Sequence, residues 1–127
     1  MERSLSERVI QCAFEVSNQL GAGFLEAVYE NALCIEMKRQ GIEFQRQKSI
    51  EVIYKDQVIG NYIADIVVEN KLLIELKALS DFSKQHEAQL MNYLKATGIK
   101  VGLLLNFGTP RVSVRRIAWR YDEAEKI

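Results

Sequence analysis

The chain has 127 residues, 48% hydrophobic and 27% charged, the balance of a globular protein long enough for one compact domain over residues 1–127. Its 17 basic and 17 acidic side chains cancel, which excludes the global signature of a strongly basic nucleic-acid binder and leaves open a locally basic cleft. No apolar run approaches the ~20 residues that span a bilayer, and MERSLSERVIQ lacks the apolar core of a signal peptide, so no membrane partner is expected and a cytoplasmic location is the default.

Ser4-Leu5-Ser6-Glu7 matches a capping box ahead of an apolar-periodic run, and predicts a helix over about Ser6 to Gln19. Gly21-Ala22-Gly23 breaks it. A second helix is expected from Phe24 to Gln40, stopped by Gly41, with Leu25, Val28, Tyr29, Ala32, Leu33, Ile35 and Met37 as its apolar stripe. Glu26 lies in its first turn, where an acidic group stabilises the helix dipole by a few tenths of a kcal/mol whatever else it does. Cys12 and Cys34 fall in helical patterns without a CxxC or His neighbour and read as reduced core residues, not zinc ligands.

From Glu43 the period changes to two. Phe44 to Tyr54 reads as a strand, Lys55-Asp56-Gln57 turns the chain, and Val58 leads into the strand that carries Asp65. Leu79 to Ser83 is a polar connection, followed by a helix from Lys84 to Thr97 closed by Gly98. On it Ala88, Met91, Leu94 and Lys95 mark one side, and His86, Gln89 and Tyr93 another. Val101 to Phe107 is a near-continuous apolar run, as an interior strand requires. Gly108-Thr109-Pro110 turns it into a strand nearer an edge, Val112 to Trp119, and the charged tail from Asp122 to Ile127 is expected to fray. The order α, α, β, β, β, α, β, β implies a mixed sheet with helices on its faces, an α/β or α+β sandwich.

The chain is organised around Tyr62–Ala78, where two β-branched runs flank Glu69-Asn70-Lys71. A three-residue loop sets Val68 opposite Leu72, Val67 opposite Leu73, Ile66 opposite Ile74 and Asp65 opposite Glu75. Lys77 shares the face of Glu75, and Ile63, Val67 and Leu73 are expected there too. Two adjacent carboxylates repel unless a cation separates them, and Mg²⁺ often takes one or two carboxylates together with water and phosphate. Asp followed by Glu-x-Lys on the next strand is the layout of a metal-dependent phosphodiesterase, although on spacing alone a solvated polar face explains it better.

Gly23-Phe24-Leu25-Glu26-Ala27-Val28-Tyr29 is a Gly-x-x-Glu-x-x-Tyr motif, followed in order by Asp65, Glu75-Leu76-Lys77 and Gln89-Leu90-Met91-Asn92-Tyr93. From Ile10 to Ile117 the chain resembles the small bacterial and archaeal proteins of the GxxExxY family, within the PD-(D/E)XK nuclease-like superfamily. The resemblance implies a restriction-endonuclease-like mixed sheet flanked by helices. It implies Asp65 and Glu75 as ligands of Mg²⁺ or Mn²⁺, with Glu26 as a further acidic ligand. Lys77 would orient or activate water, Gln89 would hold substrate or the lysine, and Tyr93 and Tyr29 would stand on the substrate side. Ala64 replaces the Pro that often precedes the aspartate; Pro supplies no ligand.

Other chemistries lack their parts. His86 is the only histidine, and Gly21-Ala22-Gly23 has neither the preceding strand nor the following Lys-Ser/Thr of a phosphate loop. Arg111, Arg115, Arg116 and Arg120 form a basic run that reads as a nucleic-acid face or, slightly preferred, as an edge strand protected by charge. The expectation is a metal-dependent nuclease acting on nucleic acid, DNA first, with a homodimer or protein partner to assist its weak binding. A catalytically silent binding or scaffold protein is the alternative, and a small phosphorylated substrate a third reading.

Overall fold

The computed structural model describes residues 3–127. Helix α1 (Leu5–Leu20) begins where the Ser4 side chain accepts the Glu7 N–H at 3.2 Å, and ends at Gly21. Helix α2 (Glu26–Arg39) stops before Gly41, whose φ of 71° is the left-handed value that glycine adopts without strain. Its buried face is Tyr29, Glu30, Leu33, Cys34 and Met37, while Leu25, Val28 and Ile35 are exposed. The expected stripe thus has the right centre and the wrong flank. Glu30 can turn inward because Arg46 of the first strand meets its carboxylate at 2.8 Å, a partner that helical periodicity does not reveal.

Strands β1 (Phe44–Tyr54), β2 (Gln57–Val68), β3 (Leu72–Lys77), β4 (Val101–Asn106) and β5 (Ser113–Ala118) form one sheet in chain order. Every neighbouring pair is antiparallel except β3 and β4, which α3 (Lys84–Thr97) joins by a crossover. As the sequence requires, β4 is buried at every position and β5 is an edge. One face of the sheet packs Ile66, Ile74 and Leu103 against Val9, Ala13, Leu33 and Met37 of α1 and α2. The other packs Val67, Leu73 and Leu104 against Leu90 and Leu94 of α3. On α3, Leu94 is on the expected side, but Ala88 is exposed and Leu90 takes the buried place.

The β2–β3 hairpin closes as predicted, with Val68, Val67 and Ile66 paired to Leu72, Leu73 and Ile74. Glu69 and Asn70 take φ of 50° and 56° in its loop, the left-handed turn that Asn accommodates. That ladder then stops, whereas β1 and β2 stay paired from Phe44↔Val68 out to Tyr54↔Gln57. Beyond Ile66 and Ile74 the sheet therefore forks, and the outer hairpin projects as a two-stranded arm. The tail does not fray: Glu123–Glu125 forms a short 3₁₀ turn, Lys100 pairs with Glu125 at 2.7 Å, and a main-chain oxygen of buried Ile127 accepts the Ser6 N–H at 3.0 Å.

Candidate active site at the sheet fork

Asp65 lies where the strand's alternation breaks. The β1–β2 ladder pairs Arg46 with Ile66 and Lys48 with Ala64 but skips Gln47, whose φ is 47°. Ala64 packs under α3, while Ile66 packs under α1 and α2, so the two residues flanking Asp65 serve opposite faces. The break also corrects the expected apolar face: Val67 and Leu73 do lie together under α3, but Ile63 is 58% exposed. Glu30 holds the irregular segment from α2, accepting Gln47 Nε2 at 2.8 Å and Arg46 Nε and Nη2 at 3.1 and 2.8 Å.

Across the fork, Asp65 Oδ2 accepts the Leu76 N–H at 2.8 Å, and Glu75 Oε1 accepts the Asp65 N–H at 3.3 Å. Side-chain bonds to main chain thus continue the hairpin where the ladder stops, and they fix both carboxylates side by side. The Tyr62 hydroxyl also donates to Glu75 Oε1. Its ring lies on that of Tyr93, centroids 3.4 Å apart and planes 13° from parallel, so α3 braces the carboxylate through an aromatic stack.

The electrostatics follow from this packing. Burial, and then the Asp65 charge, push the Glu75 carboxyl up to about 7, against the opposing Tyr62 hydroxyl, Asp65 N–H and Lys77 charge. Burial raises Asp65 too, with Glu30 adding to the shift and the Leu76 N–H and Lys77 opposing it. The Tyr62 phenol is driven upward by burial and by Glu75, so it stays protonated and donates. Asp65 Oδ1 and Glu75 Oε2 are left outside the hydrogen bonds of the described residues. Two free oxygens on carboxyls that are short of positive charge suit a hard divalent cation. Among the described residues no three Asp, Glu, His or Cys side chains converge on one point, so the protein offers two carboxylates and the remaining coordination falls to water, carbonyl or phosphate oxygen.

The other expected residues are distributed as follows. Glu26 is exposed at the first position of α2, and the acid of that helix whose charge Asp65 feels is Glu30. Tyr29, expected on the substrate side, is completely buried. Its hydroxyl donates to the Gly21 carbonyl at 2.6 Å and accepts the Phe24 N–H at 3.1 Å, and its ring stacks on Phe107 at 4.7 Å. It pins the turn that delivers Glu26. Gln89 is exposed on α3, one turn before Tyr93. His86 caps α3, its Nδ1 accepting the Ser83 N–H at 3.2 Å.

Asn106 and Gly108 are structural parts of the site that sequence reasoning passed over. Asn106 Oδ1 accepts the Leu79 and Gly108 N–H groups at 2.9 and 3.0 Å, and Nδ2 donates to the Leu79 carbonyl at 2.9 Å. A Cβ on Gly108 would overlap the Leu79 main chain. With the Phe107 N–H bonded to the Lys77 carbonyl at 2.8 Å, this clamp fixes the chain as it leaves Lys77. The available signal was a lone Asn closing an apolar run. In the arginine run, on and beside the edge strand β5, Arg115, Arg116 and Arg120 lie 4.8–5.0 Å from the ring centres of Phe82, Tyr121 and Trp119.

Paired acids, with Lys77 two residues after Glu75, stand at the fork of the mixed sheet of this α/β protein. The family model of the PD-(D/E)XK nuclease superfamily matches residues 3–117, and the chain belongs to that superfamily. It is similar in fold to SSO0001, known from a crystal structure, at 21% identity and a TM-score of 0.58, over 78% of this chain and 52% of that one. The chain thus spans about half the length of that protein. An alkaline exonuclease (LHK-Exo) from Laribacter hongkongensis aligns at 15% identity and a TM-score of 0.47, over 98% of this chain and 74% of the other. No curated protein matches. No helix among the described residues is long and apolar enough to cross a membrane.

Proposed function

We propose that this chain is a GxxExxY-type, divalent-metal-dependent phosphodiesterase that acts on nucleic acid, DNA first, in the cytoplasm. The observation that carries the reading is the side-by-side fixing of Asp65 and Glu75, each with one uncommitted oxygen, with Lys77 two residues beyond Glu75 on β3. Those oxygens would hold Mg²⁺ or Mn²⁺, aided by the Leu76 carbonyl that the family resemblance implies. The ion would neutralise phosphate charge and lower the pKa of a bound water. The chain's own residues do the rest. Lys77 places a positive charge where a water or phosphate oxygen must be held, and Tyr62 engages one oxygen of Glu75 by donating its hydroxyl to it. Gln89 and Tyr93 border substrate from α3, and Glu26 is assigned to the outer acidic position on α2.

The test is a cleavage screen with Mg²⁺ and Mn²⁺ over single-stranded, double-stranded and branched substrates, with Lys77→Ala beside wild type. The variant should lose about 100-fold or more, the range of a positioned proton-transfer or charge-stabilising group. Equal residual cleavage by both proteins transfers the assignment to a silent nucleic-acid-binding protein. Millimolar Mg²⁺ or Mn²⁺ should also raise the melting temperature of wild type and leave Asp65→Asn unmoved, because metal stabilises only the fold that holds it. Indifference of the wild type counts against the metal site.

A further inference from the structure

The projecting arm is the part of the molecule that its own chain leaves unpartnered. From Gln57 to Ala64, β2 is bonded to β1 on one side, while its pairing with β3 is confined to Ile66–Val68. No other main-chain segment among the described residues bonds to this stretch, so one side is an open strand edge. Sheets ordinarily blunt such an edge with Lys, Pro or a covering segment. This one has none of those residues: QVIGNYIA contains no charge and no Pro. Beside it Ile53, Tyr54, Val58, Ile59 and Ile63 are 53–63% exposed, five of the nine exposed large hydrophobic residues among those described. The apolar surface is therefore concentrated on the arm and not scattered.

We propose that the open edge of β2 is the docking surface for a second copy of this chain. The two strands pair antiparallel about a two-fold axis at Gly60, which joins both sheets into one. Charge selects this occupant over a polyanion. From Lys48 to Ala64 the arm carries Lys48 and Lys55 against Glu51 and Asp56, so it lacks the Lys/Arg excess that neutralises phosphates. Symmetry supplies the fit, because an antiparallel pair of identical strands sets the same apolar residues on both sides of the axis. Gly60 is at the centre of the open edge, its φ is unstrained and a Cβ there meets nothing within 4 Å, so two main chains can approach closely at that point. Of the exposed apolar side chains, Val58, Ile59 and Ile63 are on β2 itself and flank the axis, so pairing brings both copies' sets together. Pairing ends before Asp65, whose N–H already donates to Glu75. The proposal is independent of the reaction assigned above.

Sedimentation equilibrium from low to high micromolar concentration tests it. Wild type should be dimeric at the upper end, and Ile59→Lys, which charges the edge at an exposed position, should be monomeric with an unchanged circular dichroism spectrum. Gly60→Cys should form an interchain disulfide on mild oxidation and Ser80→Cys should not, native Cys12 and Cys34 being buried. A wild type that stays monomeric overturns the proposal. So does a dimer that survives Ile59→Lys without a Gly60→Cys cross-link, and a monomer that self-associates only on added DNA points to a nucleic-acid occupant instead.

Discussion

Two tyrosines at opposite sides of the sheet make the same kind of contact and do different work. Tyr29 stacks on Phe107 and Tyr62 on Tyr93, and each hydroxyl donates to a neighbouring oxygen. The oxygen differs. For Tyr29 it is the Gly21 carbonyl, in a place with no solvent exposure, so the bond serves the backbone of a turn. For Tyr62 it is the carboxylate of Glu75, itself pushed up to about 7 and adjacent to Asp65, so the bond serves a charge that the fold has made expensive. Where a hydroxyl meets main chain, its loss is felt as stability. Where it meets a strained carboxylate, its loss is felt as a change in proton and cation affinity.

The largest effect that could break this contrast is Tyr29→Ala. Removing a completely buried aromatic should cost about 3–5 kcal/mol, read by urea unfolding. If Tyr62→Ala costs as much, the two tyrosines are both structural and the contrast fails.

Next comes pH. Glu75 binds a proton more tightly in the folded chain than its ordinary 4.5, so its contribution to stability is complete below about 4.5 and is lost as pH rises through about 7. Asp65 is shifted in the same direction. In the presence of a chelator, wild-type stability relative to Glu75→Gln should therefore fall across that window, by on the order of 3 kcal/mol at ~1.4 kcal/mol per tenfold change in proton affinity. A difference between the two proteins that does not vary with pH removes the perturbed carboxyl.

Tyr62→Phe sharpens the contrast at smaller cost. It removes a bond that favours the charged form of Glu75, so the Glu75 titration followed by carboxyl-carbon resonance should move above 7, with unfolding free energy changed by about 1 kcal/mol. A titration that moves downward refutes the assigned role of the hydroxyl. The smallest expected change is Ile59→Lys, within about 0.5 kcal/mol for an exposed site whose effect is confined to association.

The sequence reveals those parts of the fold that depend on neighbours along the chain. The hairpin register followed from a three-residue loop and period-two alternation, and the helix ends from Ser4, Gly41 and Gly98. What it does not reveal depends on partners distant in sequence. Glu30 looks like an ordinary surface acid until Arg46 and Gln47 of β1 come to meet it, and that is why the expected stripe of α2 chose Leu25 and Val28 instead. The adjacency of Asp65 and Glu75 was readable, but its cause was not: main-chain N–H groups of Leu76 and Asp65 hold the carboxylates beyond the last ladder pair. Tyr62 gave no signal at all, since its meaning comes from Tyr93 on a helix that follows two elements later.

The short β2–β3 ladder has a dynamic consequence. Only three ladder pairs join β2 to β3, whereas β4 is covered on both faces and paired on both edges. Opening of the outer part of the arm, where Ile53, Tyr54, Val58 and Ile59 are exposed, uncovers little of the shared core, so it costs a fraction of the global unfolding free energy. Amide protons in the outer hairpin should exchange with solvent deuterium through local openings that denaturant scarcely accelerates. Those of β4 should exchange only when the whole molecule unfolds. The carboxylates at the fork therefore sit on the seam between these two units, and the two main-chain hydrogen bonds that hold Asp65 beside Glu75 span it.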